Sequence, residues 1–563
     1  MRETHEVTTG PSLTARVRQE WARFRTRGRM TAMAAAILVT VLLGLLHAIL
    51  LGSGSHCSDG PVEIPCPTAP VGPHGQAVSD TFYFVHQPLG ENGSITVRVT
   101  SMTGIITYPP PGHDEIVPGL VPWAKAGVII KDGTAQGSSY AALMLTGSHG
   151  VRMQHDYVHD TAGRAGGVSA KAPRWLRLTR SGDTITGHES ADGTRWTRVG
   201  TARLTALPEI VRVGLFVASP GDLTLRPVAL GAGLPESRFT QATATFDRVS
   251  VEGGTSTGEW DRGSVGEMGH TDWEKYHRAA GLAESDGVFT VTGTGDIGPS
   301  GAEGGHPVES GLVGLVISLI IVLVVAVRFV TTGYRPGGTG VAPDVTSDAT
   351  PGVAPDASLM ATPGATSDVV PDVAPGAAPG VAPLTGRTLV AKALVVGAVT
   401  FLAGLVAAAV VVSAGPKVLR ANGLGVVTVP ALTGLRVVVG VAALLALAAV
   451  LALAVGALLR RTWTAVLVTI SVVVLPYLLA VLPLLPDETA RWLLRLTPAA
   501  GFAAEQTLHE HPQTVAHYAP SAGYYPLTWW AGLAVLCGYA AVVLALAGFR
   551  LRGSVPASRP RWR

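Results

Sequence analysis

Six runs of about 20 residues are almost entirely apolar, and they constrain this 563-residue chain more than any other feature. An α-helix rises 1.5 Å per residue, so about 20 apolar residues cross the ~30 Å hydrocarbon layer of a bilayer. Only 14% of the residues are charged, because these runs contain almost no charge. The sequence therefore predicts an α-helical polytopic membrane protein with six transmembrane helices, at residues 30–51, 311–330, 389–413, 436–459, 463–485 and 527–549.

The segment before the first span, residues 1–29, is basic and amphipathic. Leu13, Val17, Trp21 and Phe24 recur at helical spacing, and arginines occupy many of the positions between them. This pattern predicts a cytoplasmic helix that lies on an anionic membrane surface.

A cleaved signal peptide is the alternative for residues 30–51, because small residues follow at 52–55. The apolar run is longer than the ~7–15 residues of a signal h-region. We therefore expect it to remain as a membrane helix.

The long segment between the first two spans has ordinary charge content and a β-type pattern. Short alternating or β-branched runs are separated by Gly, Asp, Asn and Pro, which is typical of antiparallel sandwiches. We expect an inserted all-β extracytoplasmic jelly-roll sandwich at residues 56–255 and a small β-rich extension at 256–309. Strands are predicted at residues 94–99, 126–130, 140–145, 175–179, 184–186, 211–218, 243–251 and 287–293.

Two connecting segments differ in composition. Residues 331–388 are rich in Pro, Ala and Gly and have too few large apolar side chains to form a hydrophobic core. This composition predicts a disordered cytoplasmic linker. Residues 486–526 predict an extracytoplasmic loop with short helices near 490–496 and 501–508. Aromatic residues in and after this loop predict either anchors at the outer membrane interface or a gate over a transport path: Trp492, Tyr524, Tyr525, Trp529 and Trp530.

The distribution of Arg and Lys in the loops predicts the orientation. With the N-terminus inside, residues 1–29, residues 331–388, the Arg460–Arg461 turn and the basic tail 550–563 are all cytoplasmic. Residues 52–310 are then extracytoplasmic, and both termini are inside.

The three cysteines are Cys57, Cys66 and Cys537. Outside the cytoplasm a Cys57–Cys66 disulfide is chemically permitted, and two free thiols in a flexible stalk are the alternative. Cys537, inside the last span, is expected to serve as a small apolar packing residue.

Catalytic patterns are weak in this chain. No Lys is followed by Ser or Thr, so a Walker A phosphate loop is missing. His149, His155 and His159 are expected to be surface residues, and Lys392 to reach the cytoplasmic face. We therefore expect no catalytic residue, metal site or cofactor here, and the small net charge of +3 gives no indication of nucleic-acid binding.

Several phrases in the membrane part resemble bacterial ABC transporter permeases of the type-2 exporter class. They are Arg18-Gln-Glu-Trp-Ala-Arg-Phe-Arg-Thr26, Phe401-Leu-Ala-Gly-Leu-Val-Ala-Ala-Ala409, Gly456-Ala-Leu-Leu-Arg-Arg461, Leu496-Thr-Pro-Ala-Ala-Gly-Phe502 and Gly523-Tyr-Tyr-Pro526. The resemblance implies a membrane-spanning permease subunit that pairs with a separate ATP-binding cassette ATPase and forms a homodimer or heterodimer of permeases in the bacterial plasma membrane. It implies that five residues couple to the ATPase: Glu20, Trp21, Phe24, Arg460 and Arg461.

One segment departs from the permease pattern. The family carries a Glu-Tyr-Arg-Arg-Gly phrase after the second span, whereas this chain has Gly333-Tyr-Arg-Pro-Gly337. The acidic residue is missing and Pro336 breaks a helix. This favours an alternative function, that of a membrane-anchored lectin-like surface-binding or sensing protein without transport.

The inserted β segment resembles concanavalin/laminin-G-like sandwiches. The resemblance lies in Trp123-Ala-Lys-Ala-Gly-Val-Ile-Ile130, Ser190-Ala-Asp-Gly-Thr-Arg-Trp196 and Val213-Gly-Leu-Phe-Val-Ala-Ser219. It implies a glycan as one ligand class for the outer domain, or a purely structural sandwich. A glycan-hydrolysing enzyme is a third reading and would need paired carboxylates.

Overall fold

The computed structural model describes residues 12–52, 57–59, 62–64, 70–108, 115–254, 259–266, 280–301, 305–332, 384–422, 424 and 426–552. Within them the chain forms a helical bundle and a large β domain. The helices are α1 Leu13–Phe24, α2 Arg27–Gly52, α3 Leu315–Thr331, α4 Gly386–Ala421, α5 Ala431–Leu459, α6 Thr462–Val481, α7 Asp487–Leu496 and α8 Trp529–Arg552.

Six of these helices, α2 to α6 and α8, are long and apolar enough to cross a membrane. They confirm that the six apolar runs expected from the sequence form long helices, with shifted ends. The largest shift is in α4, whose 36 residues extend beyond the expected 389–413 at both ends. Leucines on the outer faces, such as Leu42 in α2 and Leu467 in α6, are more than half exposed, as helices in contact with lipid require.

The N-terminal helix is shorter than predicted. Ser12 caps α1 by accepting a hydrogen bond from the Ala15 amide at 3.3 Å, and the helix ends at Phe24. Only two residues separate it from the start of α2 at Arg27, so the two helices form an elbow.

The β domain lies between α2 and α3 in the chain, and all its strand pairs are antiparallel. Its strands are β1 Cys57–Asp59, β2 Val62–Ile64, β3 Val78–Asp80, β4 Phe82–Thr107, β5 Ile116–Pro118, β6 Lys125–Lys131, β7 Tyr140–Thr146, β8 Val151–His155, β9 His159–Ala162, β10 Arg174–Ser181, β11 Thr184–Ser190, β12 Thr197–Arg203, β13 Val211–Ala218, β14 Asp222–Pro227, β15 Gly233–Gly254, β16 Asp261–Val265, β17 Gly281–Ser285, β18 Val288–Gly293 and β19 Ile297–Pro299.

The strand order in the main sheet is β12-β11-β10-β4-β13-β6-β7-β8-β9. The 26-residue β4 organises the domain, because its first part pairs with β13 and β16 and its later part with β10 and β15. Apolar side chains such as Val97, Leu143 and Val213 are fully buried and form the core. Seven of the eight predicted strand segments lie within observed strands, and the eighth, 287–293, begins one residue before β18.

The predicted extension at 256–309 belongs to the same domain. Strand β16 pairs with β4, and β18 pairs with β15, so the boundary at residue 255 does not separate two sheets. The sequence could not show this, because strand pairing between distant segments leaves no local pattern.

The helical bundle has two ends, the α1 side and the β-domain side. The α1 side carries α1, the start of α4 and the turn between α5 and α6; the β-domain side carries the β domain, the end of α4 and the segment from α7 to the start of α8. On the β-domain side, α7 is followed by a 3₁₀ segment at Pro498–Glu505, all eight residues of which are buried. The α7 helix confirms the first short helix predicted in this loop, and the second is a 3₁₀ segment that begins three residues earlier than expected.

The 3₁₀ segment lies against α5 and α8, and glycines permit the close contact. A Cβ on Gly532 would overlap the carbonyl oxygen of Ala500, and one on Gly440 would lie 3.0 Å from the Ala504 Cβ. Small residues at such crossings let apolar segments approach closely in lipid. The segment therefore returns into the bundle rather than lying on its surface.

Candidate functional site

The α1 helix is fixed to the bundle by a buried ion pair. Glu20 is 1% exposed, and its carboxylate lies 2.8 Å from the Lys392 ammonium in α4 and 2.9 Å from Arg23. Lys392 also donates to the Phe329 carbonyl at 3.3 Å. The expectation that Lys392 reaches the membrane surface is wrong, because its partner is brought to it inside the protein.

Aromatic packing completes the attachment. The rings of Phe24 and Phe329 meet edge-to-face at 5.1 Å, and the Lys392 ammonium lies 4.0 Å from the centre of the Phe329 ring. The Arg29 guanidinium carbon also lies 4.9 Å from the centre of this ring, and Arg29 donates to the Thr332 hydroxyl at 3.2 Å. The elbow between α1 and α2 is thereby joined to the end of α3 and the start of α4.

The five residues that the sequence assigned to ATPase coupling divide into two groups. Glu20 and Phe24 are buried against α3 and α4, so they position α1 and present no surface to a partner. Trp21 is 41% exposed, and Arg460 and Arg461 are exposed in the turn between α5 and α6. Direct contact with another subunit is therefore open only to this second group.

The α5–α6 turn is tight, as predicted. Arg460 adopts a left-handed conformation with φ +55° and ends α5, and α6 begins two residues later. The Thr462 hydroxyl lies 2.9 Å from that of Thr331, which places the turn beside the end of α3. A cavity of about 810 Å³ opens here between Arg328, Arg461 and Trp463.

The β-domain side of the bundle contains two carboxylates that the sequence analysis did not place there. Glu309 accepts hydrogen bonds from the Thr507 amide at 3.0 Å and from the Thr507 hydroxyl. Glu505 is buried, and its Oε1 has no hydrogen-bond partner among the described residues. Burial, and then the charge of Glu309, hold the pKa of Glu505 well above its ordinary value. No local pattern marks either residue, since Glu309 lies just before the second apolar run and Glu505 lies in the middle of the loop 486–526.

The aromatic residues expected at the outer membrane interface also fall into two groups, one exposed and one buried. Trp492, Trp529 and Trp530 are 53%, 39% and 61% exposed, as a membrane-interface position requires. Tyr524 and Tyr525 are buried, so the prediction is wrong for these two residues. Tyr524 packs between the loops and the β domain, and Tyr525 packs in the core of the helical bundle.

The β domain rests directly on the loops of the bundle. Gln513 donates to the Val158 carbonyl at 3.1 Å, and the Thr428 hydroxyl donates to the Gly75 carbonyl at 2.9 Å. Tyr524 packs in a small apolar cluster with Ala77 and Val427. The domain therefore contacts the same segment that leads from the 3₁₀ turn into α8.

Buried charges inside the β domain are paired. Lys131 lies 2.8 Å from Asp80, and the Tyr157 hydroxyl donates to the same carboxylate at 2.7 Å. Burial raises the pKa of Tyr157 and lowers the pKa of Lys131, while Asp80 partly offsets the effect on Lys131. This network fixes strands β3, β6 and the turn after β8 to each other.

The three histidines considered in the sequence, His149, His155 and His159, do not form a metal centre. His149 stacks on Trp123 at 4.0 Å, and His155 stacks on His159 at 4.3 Å. Asp160 is bound by Arg152. In the described part of the chain, no three His, Cys, Asp or Glu side chains are placed to share an ion.

The cysteines leave one prediction open and correct another. The side chains of Cys57 and Cys66 lie outside the described residues, as does most of the predicted linker 331–388. Cys537 is exposed on the outer face of α8, so it does not pack in the bundle as predicted.

Comparison with known proteins gives no family assignment. No family model matches the chain, and no curated protein matches it. Among solved structures, a protein of unknown function from Saccharomyces cerevisiae is 14% identical with a TM-score of 0.21, over 36% of this chain and 94% of that one. Scytalido-glutamic peptidase with a transition state analogue inhibitor is 10% identical with a TM-score of 0.26, over 38% and 98%. A GH43 protein from Bacillus licheniformis is 14% identical with a TM-score of 0.15, over 23% and 24%. Likenesses this weak support no argument about function.

Proposed function

We propose that this chain is the membrane-spanning permease subunit of an ATP-binding cassette exporter, in which a separate subunit hydrolyses ATP. The observation that carries the proposal is the attachment of α1 through the Glu20–Lys392 ion pair. Removing one partner of a buried ion pair leaves an uncompensated charge and costs about 3–5 kcal/mol. A force applied to α1 would therefore move the adjoining ends of α3 and α4 with it.

The surface beside this attachment suits a protein partner. Trp21 of α1 is 41% exposed, and Trp463, which is 74% exposed, lines the cavity together with Arg328 and Arg461. Exposed tryptophan and arginine are the residues most enriched at the centres of protein interfaces. We assign this surface to the ATPase subunit, and the departure at Gly333–Gly337 leaves it as the main route of coupling.

The proposed orientation in the membrane follows from the arginines on the α1 side of the bundle. Arginines of α1, of the α2 start, of the α5–α6 turn and of the α8 end are gathered there; Arg550 donates to the Leu458 carbonyl at 3.2 Å. Basic residues are enriched on the cytoplasmic side of membrane proteins. The α1 side is accordingly assigned to the cytoplasm of a bacterial cell, and the β domain to the outside.

The contact between the β domain and the loops suggests how the two faces communicate. The segment from the 3₁₀ turn to α8 touches the β domain through Gln513 and touches α5 and α8 in the bundle. A rearrangement of α5 and α8 during transport would therefore move the β domain. We propose that a second permease copy, identical or related, completes the transport path.

Purification of the tagged full-length chain from its native membranes tests this function. An ATP-binding subunit is expected to co-purify and to hydrolyse ATP in the recovered complex. Trp21→Ala should lower the yield of that subunit about fivefold, because the loss of an interface side chain that contributes ~1 kcal/mol weakens binding by about that factor. Leu42→Ala, on a lipid-facing surface of α2, should leave the yield unchanged. The proposal fails if no ATP-binding protein associates and cells lacking the chain export normally.

The second candidate function is a membrane-anchored surface-binding or sensing protein with a glycan ligand on the β domain. The altered segment at Gly333–Gly337 favours it. Binding of the full chain in nanodiscs to immobilised cell-envelope glycans, with no associated ATPase, would support this function over transport.

A further inference from the structure

A cavity of about 370 Å³ on the β-domain side is lined by three arginines from two helices. Arg436 comes from the first turns of α5, and Arg491 and Arg495 from α7. Gln506, His509 and Glu510 close the cavity on the side of the loop that follows the 3₁₀ segment. The α1 attachment uses none of these residues.

The geometry of α7 points its arginines and its apolar residues in different directions. Arg491 and Arg495 are four residues apart and line the cavity, whereas Trp492 and Leu496, also four apart, are 53% and 62% exposed. Residues at this spacing share one face of a helix. The helix therefore faces the cavity with its cationic side and presents a tryptophan and a leucine to its surroundings.

Those surroundings have the chemistry of a membrane interface. Trp529, which lines the cavity, and Trp530 beside it are 39% and 61% exposed, and they lie at the start of the sixth span. Tryptophans at span ends sit at the level of the lipid headgroups. The cavity therefore opens at headgroup depth next to the apolar layer.

The positive charge of the cavity is only partly compensated within the protein. Arg491 lies 3.5 Å from Glu488 and donates to the Tyr518 carbonyl, and Arg436 donates to the Gln506 carbonyl. The Nε of Arg436 is buried without a hydrogen-bond partner in the described structure. Arg495 forms no hydrogen bond or ion pair with any described residue and lies over the Trp492 ring at 5.3 Å.

We infer that this cavity binds the phosphate headgroup of an anionic phospholipid from the leaflet on the β-domain side. A guanidinium presents a planar fork that matches two phosphate oxygens, and such charge-assisted bonds are stronger than neutral ones. The volume suits a headgroup, since ligand cavities begin at about 300 Å³. The guanidinium of Arg495 and the buried Nε of Arg436 donate hydrogen bonds to the phosphate oxygens. The acyl chains lie along Trp492 and Leu496. The inference does not depend on ATP-driven transport.

Native mass spectrometry of the delipidated full-length chain tests this site, with phosphatidylglycerol and phosphatidylcholine as probes. The wild-type chain should bind phosphatidylglycerol about tenfold more tightly, and Arg495→Gln should remove most of that preference. Arg420→Gln makes the same charge change at an exposed position on the same side of the bundle and should retain it. If the two variants lost the preference for phosphatidylglycerol equally, the preference would come from general surface charge, and the inference would be overturned.

Two further arms distinguish the source of the phosphate. Glycerol phosphate and inorganic phosphate, which carry no acyl chains, should compete with phosphatidylglycerol only weakly. Full competition at equal concentration would assign the cavity to a soluble anion and overturn the lipid. Should Arg495→Gln fail to fold, Arg495→Lys serves instead, because it keeps the charge and loses the fork; it should lower the preference about threefold, and an unchanged preference would contradict the role of Arg495.

Discussion

The carboxylate of Glu20 in α1 lies 2.8 Å from the ammonium of Lys392 in α4, and both side chains are buried. An amphipathic helix held only by lipid would keep such groups in water. The ion pair instead makes α1 part of the bundle, with Phe24 and Phe329 packed beside it. A helix at the edge of the membrane thus becomes a rigid extension of two spans.

Neutralising one member of this pair should destabilise the protein more than removing both. Glu20→Gln leaves the Lys392 charge buried without its partner, so we expect a loss of about 3–5 kcal/mol in unfolding free energy. The double change Glu20→Gln with Lys392→Met should cost less than Glu20→Gln alone. Denaturant unfolding in detergent, followed by fluorescence, measures both.

A matched control separates the ion pair from charge effects in general. Glu284→Gln removes an exposed carboxylate from the β domain and should change the unfolding free energy by less than about 0.5 kcal/mol. A double variant as unstable as the sum of its two single variants would show that the two side chains do not interact.

The returning 3₁₀ segment makes a second test possible. Gly532→Ala places a Cβ against the Ala500 carbonyl, so the segment and α8 should separate and the thermal midpoint should fall. Gly538→Ala adds the same methyl group to α8 where nothing lies within 4 Å, and it should be neutral or slightly stabilising. Equal midpoints for the two variants would contradict the packing described for this segment.

The proposed orientation predicts which side of the membrane each surface occupies. In a background with all cysteines replaced by serine, Glu284→Cys should react with an impermeant maleimide in intact cells. Arg461→Cys should react only after permeabilisation, because the α5–α6 turn is assigned to the cytoplasm. The reverse labelling pattern would invert the orientation.

Histidines should give the β domain a pH-dependent stability. Burial lowers the pKa of His155, and His159 adds to the effect; burial lowers the pKa of His86, His149 and His188 as well. The unfolded chain protonates these groups near pH ~6.5, whereas the folded domain does so only at lower pH. The unfolded state therefore binds more protons in this window, and stability should fall as the pH drops below ~6.5.

Hydrogen–deuterium exchange between pH 8 and pH 5 checks this prediction, after correction for intrinsic exchange rates. Peptides of the β domain should lose protection with falling pH, and His155→Gln should reduce the loss. Protection that stays constant across this range in the wild-type chain would contradict the prediction.

The elements of this fold were readable from the sequence because each has a local physical pattern. The six helices follow from runs long enough to cross a bilayer, and strands such as β6 and β13 follow from β-branched runs between turns. The ends shifted because helix termini depend on capping and on tertiary contacts. The 3₁₀ segment Pro498–Glu505 was expected as an ordinary helix, since its Ala-rich sequence carries no signal for the tighter turn.

The contacts between elements were not readable. Glu20 and Lys392 are distant in the chain, and each alone fits an exposed position. Tyr524 and Tyr525 belong to an aromatic-rich segment typical of a membrane interface, and only their tertiary contacts show that they are buried. Arg495 gave no signal, because the cavity it lines exists only once α7 lies against the start of α5.

Photo-crosslinking from position 21 tests the central claim most directly. A benzoylphenylalanine in place of Trp21, in the full-length chain in its native membrane, reports which protein contacts the exposed face of α1. Mass spectrometry of the product should identify an ATP-binding cassette subunit, and the same probe at Leu42 should yield only lipid adducts. Lipid adducts alone at both positions, with no ATP-binding protein at position 21, would contradict the assignment of this chain as a permease.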